Sequence, residues 1–122
     1  MKKVLIVDDN RINRILLSDI IRKMDIEILS AENGVEALEL CDLNPDISLI
    51  LMDIRMPIMD GVESTILIKN SYPNIPIISM TAYIVFGKID EENKKYFSGF
   101  ITKPFIIDCI IDTVKKYCFN EN

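Results

Sequence analysis

The 122-residue chain contains no histidine, and that absence removes every mechanism built on an imidazole, from the nucleophile triads to simple general-base hydrolysis. Cysteine is scarce. Cys41, Cys109 and Cys118 are odd in number, lack metal-ligand spacing and have no histidine to complete a zinc site. They read as reduced thiols packed as small apolar groups in a cytoplasmic protein. Basic charge is short too, with 14 Lys and Arg against 19 Asp and Glu and a net charge of −5. A phosphate backbone needs clustered cations, so direct binding to nucleic acid is set aside. No apolar run approaches a membrane span: Val4-Leu5-Ile6-Val7 after Lys2-Lys3 imitates a signal peptide, but Asp8-Asp9 cuts it off. A soluble, cytoplasmic protein without membrane contact is expected. Linkers, repeats and low-complexity stretches are also missing, which leaves one domain over residues 1–122.

What the chain does have is apolar material, 49% of its residues, enough to fill a two-sided core. Short β-branched runs alternate with longer amphipathic stretches, the pattern of βα units and a parallel sheet. The spacing predicts strands over Lys3–Val7, Glu27–Ala31, Ile47–Met52, Ile75–Met80 and Gly99–Thr102, the third and fourth apolar enough to be buried on both faces. Asn33-Gly34-Val35-Glu36 and Asp60-Gly61-Val62-Glu63 each set a capping side chain three residues before a glutamate and open helices. Ile12, Ile15, Leu16, Ile20 and Lys23 predict one sheet-covering stripe, and Phe105, Cys109, Ile110 and Val114 another. Ile84–Phe97 is the weakest helix, with Gly87 inside it and a polar run from Asp90 to Lys95. Right-handed crossovers make this an α/β, doubly wound three-layer sandwich; with five strands the flavodoxin-like order 2-1-3-4-5 is expected over the other common arrangement, with any site in the crevice at the carboxyl ends of strands 1 and 3.

At those ends stand Asp8 and Asp9, then Asp53, Thr81 and Lys103. Each has a plain reading: a helix cap, a turn before Met56-Pro57, a strand-end hydroxyl, a solvated lysine. Met52, Met56, Met59 and Met80 read as core filler. Together the strand ends say more, because three ionised carboxylates held close repel strongly and one lysine cannot neutralise them all. A hard divalent cation resolves the conflict. Oxygen-only donors favour Mg²⁺, or Mn²⁺ in its place, which keeps positions open for water and a phosphoryl group.

The motifs Val4-Leu5-Ile6-Val7-Asp8-Asp9-Asn10, Asp53 through Gly61, Thr81-Ala82-Tyr83 and Phe100-Ile101-Thr102-Lys103-Pro104-Phe105 resemble, in order and interval, the receiver domain of two-component response regulators, the CheY-like domains. The resemblance spans essentially the whole chain. It implies that Asp53 is the phosphoacceptor, attacking the phosphoryl group of a phosphohistidine on a sensor histidine kinase or histidine phosphotransfer protein. It implies metal binding by Asp9, Asp53 and the backbone carbonyl of Arg55, with Asp8 acting through a metal-bound water. Lys103 and Thr81 would each hold a phosphoryl oxygen, with the Arg55 and Ala82 amides completing the cradle. Thr81 and Phe100 would be the switch, changing the face built from the fourth helix, fifth strand and fifth helix. Pro57, Gly61 and Pro104 are structural, the Lys103-Pro104 bond being expected cis. On this reading the chain is not an enzyme, although it assists its own phosphoryl transfer and autodephosphorylation, and its output passes through a downstream protein target. Phosphorylation-dependent pairing of two copies stays open. The Val7-Asp8-Asp9-Asn10 start with Asn13-Arg14 and the run from Asp53 to Asp60 look most like receivers attached to hybrid histidine kinases or used in phosphorelays. Arg55 and Tyr83, bulkier than many receivers carry there, flank the route of attacking water and predict slow hydrolysis of phospho-Asp53.

Three rivals carry less. A flavin module would want a Ser/Thr/Gly-rich loop where Asp8-Asp9-Asn10-Arg11 stands, and an aspartyl-nucleophile phosphohydrolase would want an acid where Arg55 stands. A receiver-like interaction module that is never phosphorylated is disfavoured by the full complement of transfer residues.

Overall fold

The computed structural model describes residues 1–82 and 91–120. In chain order these give β1 (Lys3–Val7), α1 (Arg11–Arg22), β2 (Glu27–Ala31), α2 (Gly34–Leu43), β3 (Leu49–Asp53), α3 (Gly61–Ser71), β4 (Ile77–Ala82), a single-turn α4 (Glu91–Lys94), β5 (Gly99–Lys103) and α5 (Ile107–Phe119). The strands form one sheet of order β2-β1-β3-β4-β5, every neighbouring pair parallel. That is the predicted flavodoxin-like arrangement.

Because successive side chains of a strand leave on opposite faces, each strand feeds two cores. Val4, Ile6, Leu49, Leu51, Met80 and Ile101 meet Leu17 and Ile21 of α1 and Ile110, Val114 and Cys118 of α5. On the other face Leu5, Val7, Ile50, Met52 and Ile77 meet Ala37 and Cys41 of α2 and Ile68 of α3. All five residues of β3 are buried, as a central parallel strand covered on both faces requires. Among the described residues no helix is long and apolar enough to cross a membrane.

Several expectations need correction. The third and fourth strands begin two residues later than predicted and extend further, so Asp53, Thr81 and Lys103 lie inside their strands. Ile47 and Ile75 are buried, but their N–H groups close helix-end turns on the carbonyls of Asn44 (3.2 Å) and Tyr72 (3.2 Å) and are not free for the ladder. In α1 the apolar stripe is not the buried one: Leu17, Ser18 and Ile21 face the sheet, whereas Ile12, Ile15 and Leu16 are exposed. The helix carries apolar residues on two faces, and docking against the sheet and α5 selects the less crowded one. Likewise α5 buries Ile110, Val114 and Cys118; Phe105 precedes the helix, and Cys109 is an exposed thiol where a packed one was expected. The fourth helix, expected over Ile84–Phe97, is limited among the described residues to Glu91–Lys94, and residues 83–90 lie outside them. The capping side chains stand as predicted: Asn33 Oδ1 accepts from Glu36 N (2.9 Å) and Asp60 Oδ1 from Glu63 N (2.9 Å). Glu36 Oε1 reaches back one residue further than a capping box requires, accepting from Glu32 N at 3.0 Å.

Candidate functional site

At the end of β1 the chain turns sharply into α1, and Asp8 organises the turn. Its carboxylate is fully buried. Oδ1 accepts from Asn10 N at 2.9 Å, an Asx turn, while Oδ2 accepts from Asn13 Nδ2 at 3.3 Å and Lys103 Nζ at 3.2 Å. Asn10 is the N-cap of α1, its Oδ1 accepting from Asn13 N at 3.1 Å. Arg14 Nη1 donates to the Asp8 carbonyl at 2.7 Å, and Nη2 meets Glu32 Oε1 at 3.3 Å. Capping and acid chemistry, alternatives when read from sequence, coexist here: Asn10 caps, which leaves Asp8 and Asp9 for the crevice.

Asp53, the last residue of β3, is only 6% exposed, and its Oδ1 lies 3.3 Å from Lys103 Nζ. One ammonium therefore serves two buried carboxylates. Asp9 is exposed, yet one oxygen each from Asp8, Asp9 and Asp53 fall within 4.8 Å of one another. Beyond Asp53 the chain folds back tightly. Gly61 N donates to Ile54 O at 2.8 Å, and a Cβ on Gly61 would lie 2.0 Å from the Asp53 carbonyl oxygen. The turn before it closes through Met59 N on Pro57 O (2.8 Å), with Ile58 at φ 73°, a strained conformation for a β-branched residue. Arg55 is exposed on this segment. Met59 O accepts from Gly34 N at 3.2 Å, and Ser64 Oγ donates to Gly34 O at 3.1 Å, which ties the loop to the start of α2.

From the other side of the crevice, Thr81 is buried in β4 one residue past Met80, the register partner of Asp53. Ala82 pairs in register with Lys103, and the Lys103-Pro104 bond is cis as expected. Phe100 is half-buried with its ring centroid 5.7 Å from that of Phe97. Tyr83 lies outside the described residues.

The electrostatics follow from this crowding. Burial pushes the Asp53 carboxyl up from 3.8 to about 6, and the Asp8 charge adds to the rise; Lys103 opposes it, and Asp9 adds a little more. The set fits a hard divalent cation: oxygen donors only, one of them fully buried, with a positive charge too small to balance them.

The family described as "Response regulator receiver domain" matches residues 4–115. The chain belongs to this family. As a receiver, it is 40% identical over 117 residues to sporulation initiation phosphotransferase F of Bacillus subtilis, covering 95% of this chain and 93% of that one. It is similar in structure to the response regulator TrrA of Thermotoga maritima, solved in complex with Mg²⁺-BeF, with a TM-score of 0.85, 32% identity and coverage of 96% and 99%. It is also similar to the receiver domain of Saccharomyces cerevisiae Ssk1, solved with the histidine phosphotransfer protein Ypd1, with a TM-score of 0.85, 25% identity and coverage of 98% and 90%. The receiver thus takes its place in two-component signalling as a phosphoacceptor domain. Sequence reasoning found the acids, the lysine and the hydroxyl but missed the grip of Asn13 and Arg14 on Asp8. Both lie within one helical turn of the cap Asn10, where a local role already accounts for them.

Proposed function

We propose that Asp53 is the phosphoacceptor of this receiver and that the phosphoryl donor is a phosphohistidine on a sensor kinase or a histidine phosphotransfer protein. The observation that carries this reading is the sharing of Lys103 between Asp8 and Asp53, at 3.2 and 3.3 Å, with Asp9 beside them. In the reaction an Asp53 carboxylate oxygen attacks phosphorus, the P–N bond to the partner's imidazole breaks, and the imidazole leaves with a proton. With its pKa at about 6, Asp53 is mostly ionised near neutrality and needs no base. Lys103 and the Thr81 hydroxyl hold equatorial oxygens of the moving phosphoryl group, and the Arg55 and Ala82 amides complete the cradle. Asp8, Asp9, Asp53 and the Arg55 carbonyl would hold Mg²⁺, or Mn²⁺, which supplies charge neutralisation to acids and phosphoryl oxygens when bound. Thr81 and Phe100 carry the switch to β5 and α5.

The partner class has its own support. Ile12, Ile15 and Leu16 on α1 and Ile106 and Ile107 at the start of the neighbouring α5 are exposed at the edge where the acids lie, an apolar rim suited to a helical partner. In this reading the chain is a signalling domain rather than a turnover enzyme, one receiver unit over residues 1–122, acting on a downstream protein in the cytoplasm. The likeness to hybrid-kinase or phosphorelay receivers rests on the Asp8-Asp9-Asn10 start with Asn13-Arg14 and on the run from Asp53 to Asp60.

Intact mass after incubation with a small phosphodonor tests the proposal. A single phosphoryl increment is expected with Mg²⁺, none with chelator, and none in Asp53→Asn. An increment that survives Asp53→Asn would move the acceptor elsewhere.

A further inference from the structure

Asp8 is gripped at both ends from a part of the molecule outside the acid pocket. Its Oδ2 has two side-chain donors, Lys103 Nζ at 3.2 Å and Asn13 Nδ2 at 3.3 Å. Its main-chain carbonyl accepts from Arg14 Nη1 at 2.7 Å, and that guanidinium is itself anchored to Glu32 at 3.3 Å. The two donors on Oδ2 are not equivalent. Lys103 divides its hydrogens between Asp8 and Asp53 and, in the reaction proposed above, a phosphoryl oxygen. The Asn13 amide nitrogen has Asp8 as its only partner among the described residues. Its backbone N–H is already committed to the cap Asn10, so the first turn of α1 fixes where that amide can point. A carboxylate with no solvent exposure has no water to hold it once lysine turns away. Among the described residues Asn13 is then the one side-chain donor that keeps Oδ2 in place.

We propose that Asn13 is a positioning residue for metal binding: acting through Asp8, it sets the affinity of the acid pocket for Mg²⁺. The inference rests on the reading of that pocket as a Mg²⁺ site. Donors behind a metal ligand fix its rotamer and lower the reorganisation needed on binding, and losing one costs about tenfold in affinity at the low end. Arg14 fixes the main chain of the same residue and adds to the effect, but its guanidinium also faces Glu32, so Asn13 is the cleaner probe.

The experiment is calorimetric titration of the full chain with Mg²⁺, backed by Mn²⁺ electron paramagnetic resonance, with no phosphodonor present. Asn13→Leu keeps the size of the side chain and removes the donor; its Mg²⁺ Kd is expected to rise about tenfold. Asn13→Ser, whose hydroxyl is too short to reach Oδ2, should show the same loss and serves if the leucine variant does not fold. Asn13→Gln carries the same amide on one more methylene and should recover most of the affinity. Affinities equal to the unaltered protein in the leucine and serine variants overturn the inference. So does a loss in folded Asn13→Gln as large as in Asn13→Leu, since packing of the helix and not the amide would then be responsible. Absence of Mg²⁺ binding by the unaltered protein overturns the acid-pocket reading and this inference with it.

Discussion

The two edges of the sheet are built from the same residue types and treat charge in opposite ways. At the amino edge each lysine has partners of its own. Lys3 Nζ meets Asp46 at 3.0 Å and Asn44 at 3.2 Å, the lysine hydrogen bond holding the exposed Asp46 carboxyl below its ordinary range. Lys69 Nζ donates to the carbonyls of Ile75 (2.5 Å) and Pro73 (3.3 Å), closing the turn after α3, and burial lowers its pKa. At the carboxyl edge three carboxylates converge, one lysine meets two of them, and Asp53 is pushed up to about 6. The exposed pair at the amino edge adds little to the energy of the folded chain, whereas the carboxyl edge raises it and holds that energy for a ligand to release.

The strongest way to break the comparison is at the turn that holds Asp53. Gly61→Ala would set a Cβ 2.0 Å from the Asp53 carbonyl oxygen, where only movement of the main chain can relieve it. A loss of about 3–4 kcal/mol in urea denaturation is expected, together with loss of phosphoryl uptake.

A somewhat smaller effect sharpens the contrast by pH. For Asp53 the folded pKa of about 6 lies above its ordinary 3.8, so the neutral form is favoured in the fold. Stability is greatest below the lower value and falls as pH rises through the higher, by about 3 kcal/mol over the window. The difference between Asp53→Asn and the unaltered protein, followed by urea denaturation, should therefore be near zero at pH 4 and should favour the variant by about 2–3 kcal/mol at pH 7 without Mg²⁺. Saturating Mg²⁺ should shrink that difference, and a flat difference curve would show that the acids are not in conflict.

The smallest effect belongs to the amino edge. Asp46→Asn removes an exposed partner of Lys3, and thermal melts of the two proteins should superimpose, because surface pairs gain little in high dielectric. A clear rise in melting temperature there, as expected for Asp53→Asn, would erase the distinction between the edges.

How much of this was legible in the chain differs by element. β3 announced itself because a run buried on both faces has no polar positions to confuse it, but its first residue shifted when Ile47 N–H closed a turn onto Asn44. The α1 stripe misled, since Ile12, Ile15 and Leu16 outnumber the Leu17–Ile21 pair that is buried, and helical periodicity does not say which of two apolar faces meets the sheet. Within the site, Asp8, Asp53 and Lys103 were legible because unlike strand ends supplied compatible chemistry. Asn13 was not, because an asparagine in the first turn of a helix has a complete local explanation.

Local order in the sequence settled what each segment could become: strands from β-branched runs, helix starts from Asn33 and Asp60, and, from their alternation, a parallel doubly wound sheet. The tertiary structure decided what depends on distance through space. Asp8 and Lys103 are 95 residues apart in the chain and 3.2 Å apart in the fold. The raised pKa of Asp53 comes first from burial, which no residue carries in itself. Side-chain chemistry is written locally, but dielectric and charge proximity exist only once the chain has closed around them.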